Sequence, residues 1–237
     1  MHERIDPYSD LNIMRLSRLA HLKRYQKVCE FLSLSDHVLD AGCGFGYGAD
    51  MLSQFSKNVV GIDKNPTAIS VAKNKYRSKV KYFVYDIEEI SPHNFQFFDY
   101  VTMFEVIEHL TNPKKALERI HSIIKDGGKL FISTPNKRNS PKNNQHHINE
   151  FSKEDLEEIL IETGFTVTEK FGQYPILGDM AEIAKKATGY KSNTNKCNEN
   201  IPNFIDNIPL LANIFSGLYK NFTLGARGLY LIAKLKQ

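Results

Sequence analysis

Between His37 and Asp50 the chain reads His-Val-Leu-Asp-Ala-Gly-Cys-Gly-Phe-Gly-Tyr-Gly-Ala-Asp. A short apolar run, Val38-Leu39, ends in Asp40. Glycines then hold every second position (Gly42, Gly44, Gly46, Gly48), and an apolar helical pattern opens near Ala49. The order is that of a buried strand, a tight turn stripped of side chains, and a helix. Such a turn is needed where a ligand approaches bare backbone at a helix N-terminus. Strands and helices go on alternating. Asn58–Asp63 is a second strand, and Asn65-Pro66 opens a helix with an N-cap and a first-turn proline. Val80–Asp86 and Phe98–Phe104 follow as strands. Asn112-Pro113 starts a helix to about Lys125, stopped by Gly127-Gly128, and Lys129–Ser133 is a fifth strand. Ser152 to Asp155 is a capping box before a helix that Gly164 ends, and Phe165–Phe171 is a sixth strand. This alternation predicts a parallel sheet with its ligand crevice at the strand carboxyl ends. Asp40, Asp63, Asp86 and Glu105 all fall on that edge.

Two ligands suit the loop. Gly44-Phe45-Gly46-Tyr47-Gly48-Ala49 fits the G-x-G-x-x-G/A pattern of dinucleotide sites, with Asp63 at the distance of a ribose-binding acid. That reading predicts a nicotinamide oxidoreductase, and electrostatics oppose it. Asp40, at the mouth of the loop, would face the negative charge of a pyrophosphate. A phosphate-free adenosine compound with a cationic centre suits an acidic strand end better, and S-adenosylmethionine is one.

Val38-Leu39-Asp40-Ala41-Gly42-Cys43-Gly44-Phe45-Gly46 resembles the first motif of the class I S-adenosylmethionine-dependent methyltransferases, and the similarity continues to about Phe171. The resemblance is to the sugar, glycan and small-molecule O-methyltransferase branch. It implies a Rossmann-like, seven-stranded, mostly parallel sheet with helices on both faces and an antiparallel last strand, here Leu229–Ala233. One methyltransferase domain would then fill residues 1–237: a helical lead-in over 1–36, a cofactor-binding core over 37–171, a helical insert over 172–227 that covers the acceptor, and the last strand over 228–237. Within the insert, Met180–Ala187 and Phe204–Phe222 read as helical and Lys191–Asn200 as polar.

By the same resemblance S-adenosylmethionine is the cofactor, held by Asp40, Gly42, Gly44, Gly46, Asp63, Lys64, Asp86, Ile87 and Phe104. Asp63 would accept both ribose hydroxyls, which a carboxylate does better than a hydroxyl or an amide. Lys64 would flank the nucleoside through its backbone. Asp86 and the backbone N–H of Ile87 would read the adenine, although an aspartate there also starts a turn. Tyr25 or Arg24 could touch the methionine carboxylate, and both read equally well as surface positions of a helix.

Methyl transfer from a sulfonium needs alignment above all, and a base only when the nucleophile is a weakly acidic hydroxyl. Glu105, Glu108 and His109 share one side if their segment turns helically. His147 in His146-His147-Ile148-Asn149-Glu150-Phe151 is a candidate base or acceptor-orienting group, on a motif similar to one in glycan-pathway methyltransferases. It also reads as a loop histidine bonded to backbone. Glu108 and His109 complete the candidate catalytic set. No metal is assigned. Glu105-x-x-Glu108-His109 with His147 also matches the ligand set of small-RNA 3′-terminal 2′-O-methyltransferases, and that metal-assisted enzyme is one alternative. A non-catalytic S-adenosylmethionine-binding protein is another.

A net charge of +4, from 31 basic and 27 acidic residues, is weak for a nucleic-acid enzyme. The expected partner is a small-molecule or glycan-precursor acceptor, with a homodimer through the insert left open. Three cysteines without a C-x-x-C pair suggest neither disulfides nor zinc. No signal-like or membrane-spanning run is read, and the expected location is cytoplasmic.

Overall fold

The computed structural model describes residues 15–76, 80–138, 147–175, 219–220 and 226–236. Five helices and eight strands are found among them: α1 (Arg15–Cys29), β1 (His37–Ala41), α2 (Tyr47–Leu52), β2 (Asn58–Asp63), α3 (Pro66–Lys75), β3 (Val80–Val84), β4 (Phe98–Phe104), α4 (Pro113–His121), β5 (Ile124–Pro135), α5 (Lys153–Glu162), β6 (Phe165–Pro175), β7 (Tyr219–Lys220) and β8 (Ala226–Leu235). All strands join one sheet in the order β3-β2-β1-β4-β5-β8-β6-β7. β1 to β5 run parallel, and β8 is antiparallel to both β5 and β6. The seven expected strands are present, and the two-residue β7 adds an edge by pairing with Phe171 and Gly172.

Continuous apolar runs build the central strands because both faces are covered. Successive residues point to opposite faces, so Val38, Phe131 and Ile232 pack with Val28, Leu52 and Ile69 of α1 to α3. Leu39, Ile132 and Leu231 pack on the other face with Leu117, Ile120 and Leu160 of α4 and α5. The result is a sheet between two helical layers.

Helix starts follow local chemistry. The Asn65 side chain accepts from the Ala68 N–H at 3.0 Å, and Asn112 does the same for Lys115 at 2.9 Å. Ser152 and Asp155 form the reciprocal capping box. Tertiary pairing moves other boundaries. α4 ends at His121 rather than near Lys125, because Ile123 and Ile124 are buried and the Ile123 carbonyl takes the Phe98 N–H at 2.8 Å. β5 therefore runs through Gly127-Gly128 instead of starting after them, with Gly127 at φ 78°. β6 continues to Pro175 and takes the first residues assigned to the insert, while β8 starts at Ala226. Tyr219–Lys220, in a stretch read as helical, is extended. The remaining insert residues, 176–218 and 221–225, lie outside the described residues, and so do His146 and the expected helix Met180–Ala187. Among the described residues no helix is long and apolar enough to cross a membrane.

Candidate active site

Strand order reverses between β1 and β4, the place where open α/β sheets hold ligands beyond the strand carboxyl ends. The glycine loop closes there. Gly42 and Cys43 donate to the Ile62 carbonyl at 2.8 and 2.9 Å, which ties the loop to the end of β2. Gly42 sits at φ 80°, and a Cβ on it would stand 2.3 Å from Val106 Cγ2. Only glycine serves at that position. Gly48 serves a different purpose, since a Cβ there would stand 2.0 Å from the ring of Tyr25. Its absence lets α1 lay that ring on the start of α2.

A cleft of about 520 Å³ opens over this loop, within the range of small-molecule sites. Of the residues singled out in the sequence, Tyr25, Gly42, Gly44, Asp63, Lys64, Asp86, Ile87, Phe104, Glu105 and His109 line it. Asp63 is 6% exposed, and each of its oxygens accepts one backbone N–H, from Gly44 at 3.0 Å and from Asn65 at 2.8 Å. These two bonds fix the orientation of the carboxylate against the glycine loop. Asp86 begins the short turn Ile87–Glu89 by accepting the Glu88 N–H at 2.9 Å, and it borders the cleft as well.

Asp40 departs from expectation. It stands on the carboxyl edge but does not line the cleft. It is 1% exposed and takes the Thr102 hydroxyl at 2.6 Å and the Tyr25 hydroxyl at 3.1 Å. Burial pushes its carboxyl up to about 6, although both hydroxyls oppose that shift. Tyr25 stands between Asp40 and the cleft. Gly46 lies behind the cleft wall at φ 85°, with its carbonyl accepting the Tyr82 hydroxyl at 2.9 Å.

Glu105 follows β4 at φ 55°, the only positive φ on a non-glycine among the described residues. Such a conformation costs on the order of 1–3 kcal/mol and re-aims the side chain. Its carboxylate meets Arg24 Nη1 at 3.1 Å and accepts the Ser133 hydroxyl at 2.8 Å. Arg24 is 2% exposed, so the expectation of a surface arginine gives way to a buried ion pair.

At the opposite rim a second cluster forms. Ile107–His109 is a short 3-10 turn, and the Glu108 carbonyl accepts the N–H groups of Ile148 and Asn149 at 2.9 and 3.0 Å. Those bonds draw His147 against His109, with ring centroids 5.0 Å apart. Glu108, His109 and His147 each bring one ligand atom within 4.8 Å of the others, a set able to hold a divalent cation. Glu105 is not part of it, which corrects the four-residue set matched in the sequence. Burial and the neighbouring Glu105 hold Glu108 well above the usual carboxylate range, and the Thr134 hydroxyl donates to it at 3.0 Å. In the His-x-x-Glu-Phe motif, Phe151 is buried at 7% exposure and anchors the segment, while Glu150 points outward.

Sequence reasoning missed His21, Tyr47, Tyr85, Leu110 and Ile148 as cleft residues. His21 lies four residues before Tyr25 on α1, hence on the same helix face, and that spacing was the available signal. Its Nδ1 stands 2.9 Å from the Tyr47 hydroxyl. Burial, and then the neighbouring Arg24, hold its imidazole well below its ordinary value.

A parallel sheet closed by an antiparallel strand, with a glycine loop at the switch point and the Asp63 carboxylate bound to it, defines a class I S-adenosylmethionine-dependent methyltransferase fold. Comparison with known proteins agrees. The model of a methyltransferase domain matches residues 14–170. A probable S-adenosylmethionine-dependent methyltransferase of Mycobacterium tuberculosis is 31% identical over 179 residues, 72% of this chain and 64% of its own length. A ubiquinone biosynthesis O-methyltransferase of Coxiella burnetii is 38% identical over 104 residues, 43% of this chain and 44% of its own. The chain thus spans less than two thirds of either relative. The solved N-methyltransferase NodS of Bradyrhizobium japonicum, in complex with S-adenosyl-L-homocysteine, superposes with TM-score 0.63 at 17% identity, covering 98% of this chain and 94% of that one. The chain belongs to the class I S-adenosylmethionine-dependent methyltransferase family.

Proposed function

We propose that the protein transfers the methyl group of S-adenosylmethionine to a hydroxyl oxygen of a small-molecule or glycan-precursor acceptor such as a sugar or a nucleotide-linked intermediate. The observation that carries this reading is one cleft lined by both the Asp63 carboxylate and His109, with His147 packed against His109. The name of the Coxiella burnetii relative supports oxygen as the atom methylated.

When bound, the donor supplies a methyl carbon on positively charged sulfur. Asp63, Asp86 and the backbone at Ile87 hold the nucleoside, with Lys64 beside it. Gly42 and Gly44 admit the ligand against bare backbone, while Gly46 and Asp40 shape the loop and its wall from behind. Tyr25 and Phe104 border the methionine half. His147 takes the proton of the acceptor hydroxyl as its oxygen forms a bond to the methyl carbon. The carbon–sulfur bond breaks and its electron pair stays on sulfur. His109 and Glu108 orient His147.

Calorimetry and turnover on the full chain test this. Asp63→Ala is expected to weaken S-adenosylmethionine binding by about 1.5–3 kcal/mol, the scale of hydrogen bonds to a charged group. His147→Ala should leave donor affinity intact and lower turnover roughly 100-fold or more. Unchanged affinity in the first variant removes the ribose assignment, and wild-type turnover in the second removes the base.

The 4.8 Å grouping of Glu108, His109 and His147 favours a second reading, in which a divalent cation held there binds vicinal hydroxyls of the acceptor, as in RNA 2′-O-methylation. Turnover that is lost on chelation and restored by a divalent cation, with His109→Ala abolishing the restoration, selects it over metal-free base catalysis.

A further inference from the structure

Eight large hydrophobic residues are exposed among the described residues, and Ile148, at 64% the most exposed of them, is the only one that lines the cleft. A lone exposed isoleucine is ordinary on a protein surface. This one is fixed in place. Its N–H and that of Asn149 share the Glu108 carbonyl, and the Asn149 side chain donates to the Leu110 carbonyl at 2.7 Å. Three hydrogen bonds therefore fasten the Ile148 segment to the stretch that carries His109. His147 precedes Ile148 in the chain and packs on the His109 ring.

Val106, His109, Leu110 and Ile148 line this side of the cleft, and His109 is the one polar side chain among these four. Glu105, just before them, spends one oxygen on both Arg24 and Ser133. A sugar carries a hydroxyl on nearly every carbon, and each hydroxyl that leaves water without finding a partner costs free energy. An aromatic ring asks only for carbon surface, which Leu110 and Ile148 supply. Proton transfer points the same way. A phenol, with a pKa of about 10, is far more acidic than a sugar alcohol, so an imidazole base takes its proton more readily.

We infer that the acceptor is an aromatic hydroxyl compound whose ring lies against Ile148 and Leu110 while its hydroxyl meets the His109–His147 pair, and that Ile148 selects it over a sugar. This rests on the methyl-transfer reading above and narrows its acceptor to one chemical class. In the transfer the phenol O–H bond breaks and its proton goes to imidazole. The oxygen bonds to the methyl carbon as the carbon–sulfur electron pair stays on sulfur.

The test uses the full chain saturated with S-adenosylhomocysteine and 2-naphthol, a fluorescent aromatic hydroxyl compound, as the probe. Saturable binding is expected, and a hundredfold excess of methyl glucoside should not displace it. Covering about half of an isoleucine side chain changes affinity by about threefold to tenfold. Ile148→Ser should weaken 2-naphthol by that factor and Ile148→Val by less, with the affinity for S-adenosylhomocysteine unchanged in both. The side chain is exposed, so neither change disturbs the core. Absence of saturable 2-naphthol binding, equal affinity in Ile148→Ser, or displacement by methyl glucoside overturns the inference and leaves the donor assignment standing. Failure of the wild-type chain to bind S-adenosylhomocysteine overturns the donor assignment itself.

Discussion

Asp40 shows how a single side chain can lie at the expected place and do different work. Its position at the end of β1 was legible from the motif, but its partner Tyr25 is fifteen residues earlier and on another element, which no local pattern encodes. Burial raises its folded-state pKa from 3.8 to about 6. A carboxyl raised in this way binds its proton more tightly folded than unfolded. Its contribution to stability is therefore complete below about pH 3.8 and is lost as pH rises through about 6. The shift corresponds to about 3 kcal/mol at most. Asp40→Asn removes the titration and keeps an oxygen for Thr102 and Tyr25. Urea unfolding from pH 4 to pH 7 should show wild-type stability falling relative to that variant across this window. Parallel curves would mean that Asp40 titrates normally.

Among the elements, those specified by their own ends were legible and those specified by partners were not. α3, α4 and α5 begin at Asn65, Asn112 and Ser152 because each of these side chains satisfies a backbone N–H that the helix leaves open. The far ends of β6 and β8, and all of β7, exist only through pairing across the sheet. Helix α1 is the functional example. Gln173 of β6, 1% exposed, accepts from Arg24 Nε at 2.7 Å and donates to the Ala20 carbonyl at 2.9 Å. Roughly 150 residues of chain separate these partners, so α1 could be read as helical but not as fastened to the sheet. Through this fastening α1 delivers His21 and Tyr25 to the cleft. Gln173→Leu strips both bonds and should cost about 1–3 kcal/mol, the scale of leaving buried polar groups unsatisfied. Donor affinity should fall with it, and amide exchange should accelerate in α1 before it does in β1. Unchanged exchange in α1 would show that apolar contacts alone hold this helix.

At the scale of the whole molecule, the cleft was legible because short linear motifs at the carboxyl ends of β1 to β4 supply much of its lining, while the rim was legible only where a motif reached it. The cleft draws on α1, the glycine loop, the ends of β2, β3 and β4, and the segment at Ile148. A ligand that touches so many parts binds only when both helical layers and the sheet are assembled, so its binding energy adds to the stability of the whole fold. At about one hundred times its dissociation constant it contributes about 2.7 kcal/mol. In a domain of this size each kcal/mol moves Tm by roughly 2–4 °C. Saturating S-adenosylmethionine should therefore raise Tm by roughly 5–11 °C. At the same ligand concentration, Asp63→Ala should cut that rise to about half or less, because a complex weakened by about 1.5 kcal/mol or more forfeits at least about 1.4 kcal/mol of the linkage. NADH, whose pyrophosphate would enter a cleft lined by Glu105, should raise it little. A rise with NADH equal to that with S-adenosylmethionine would mean that the loop reads adenosine alone and that the acidic rim does not select against phosphate.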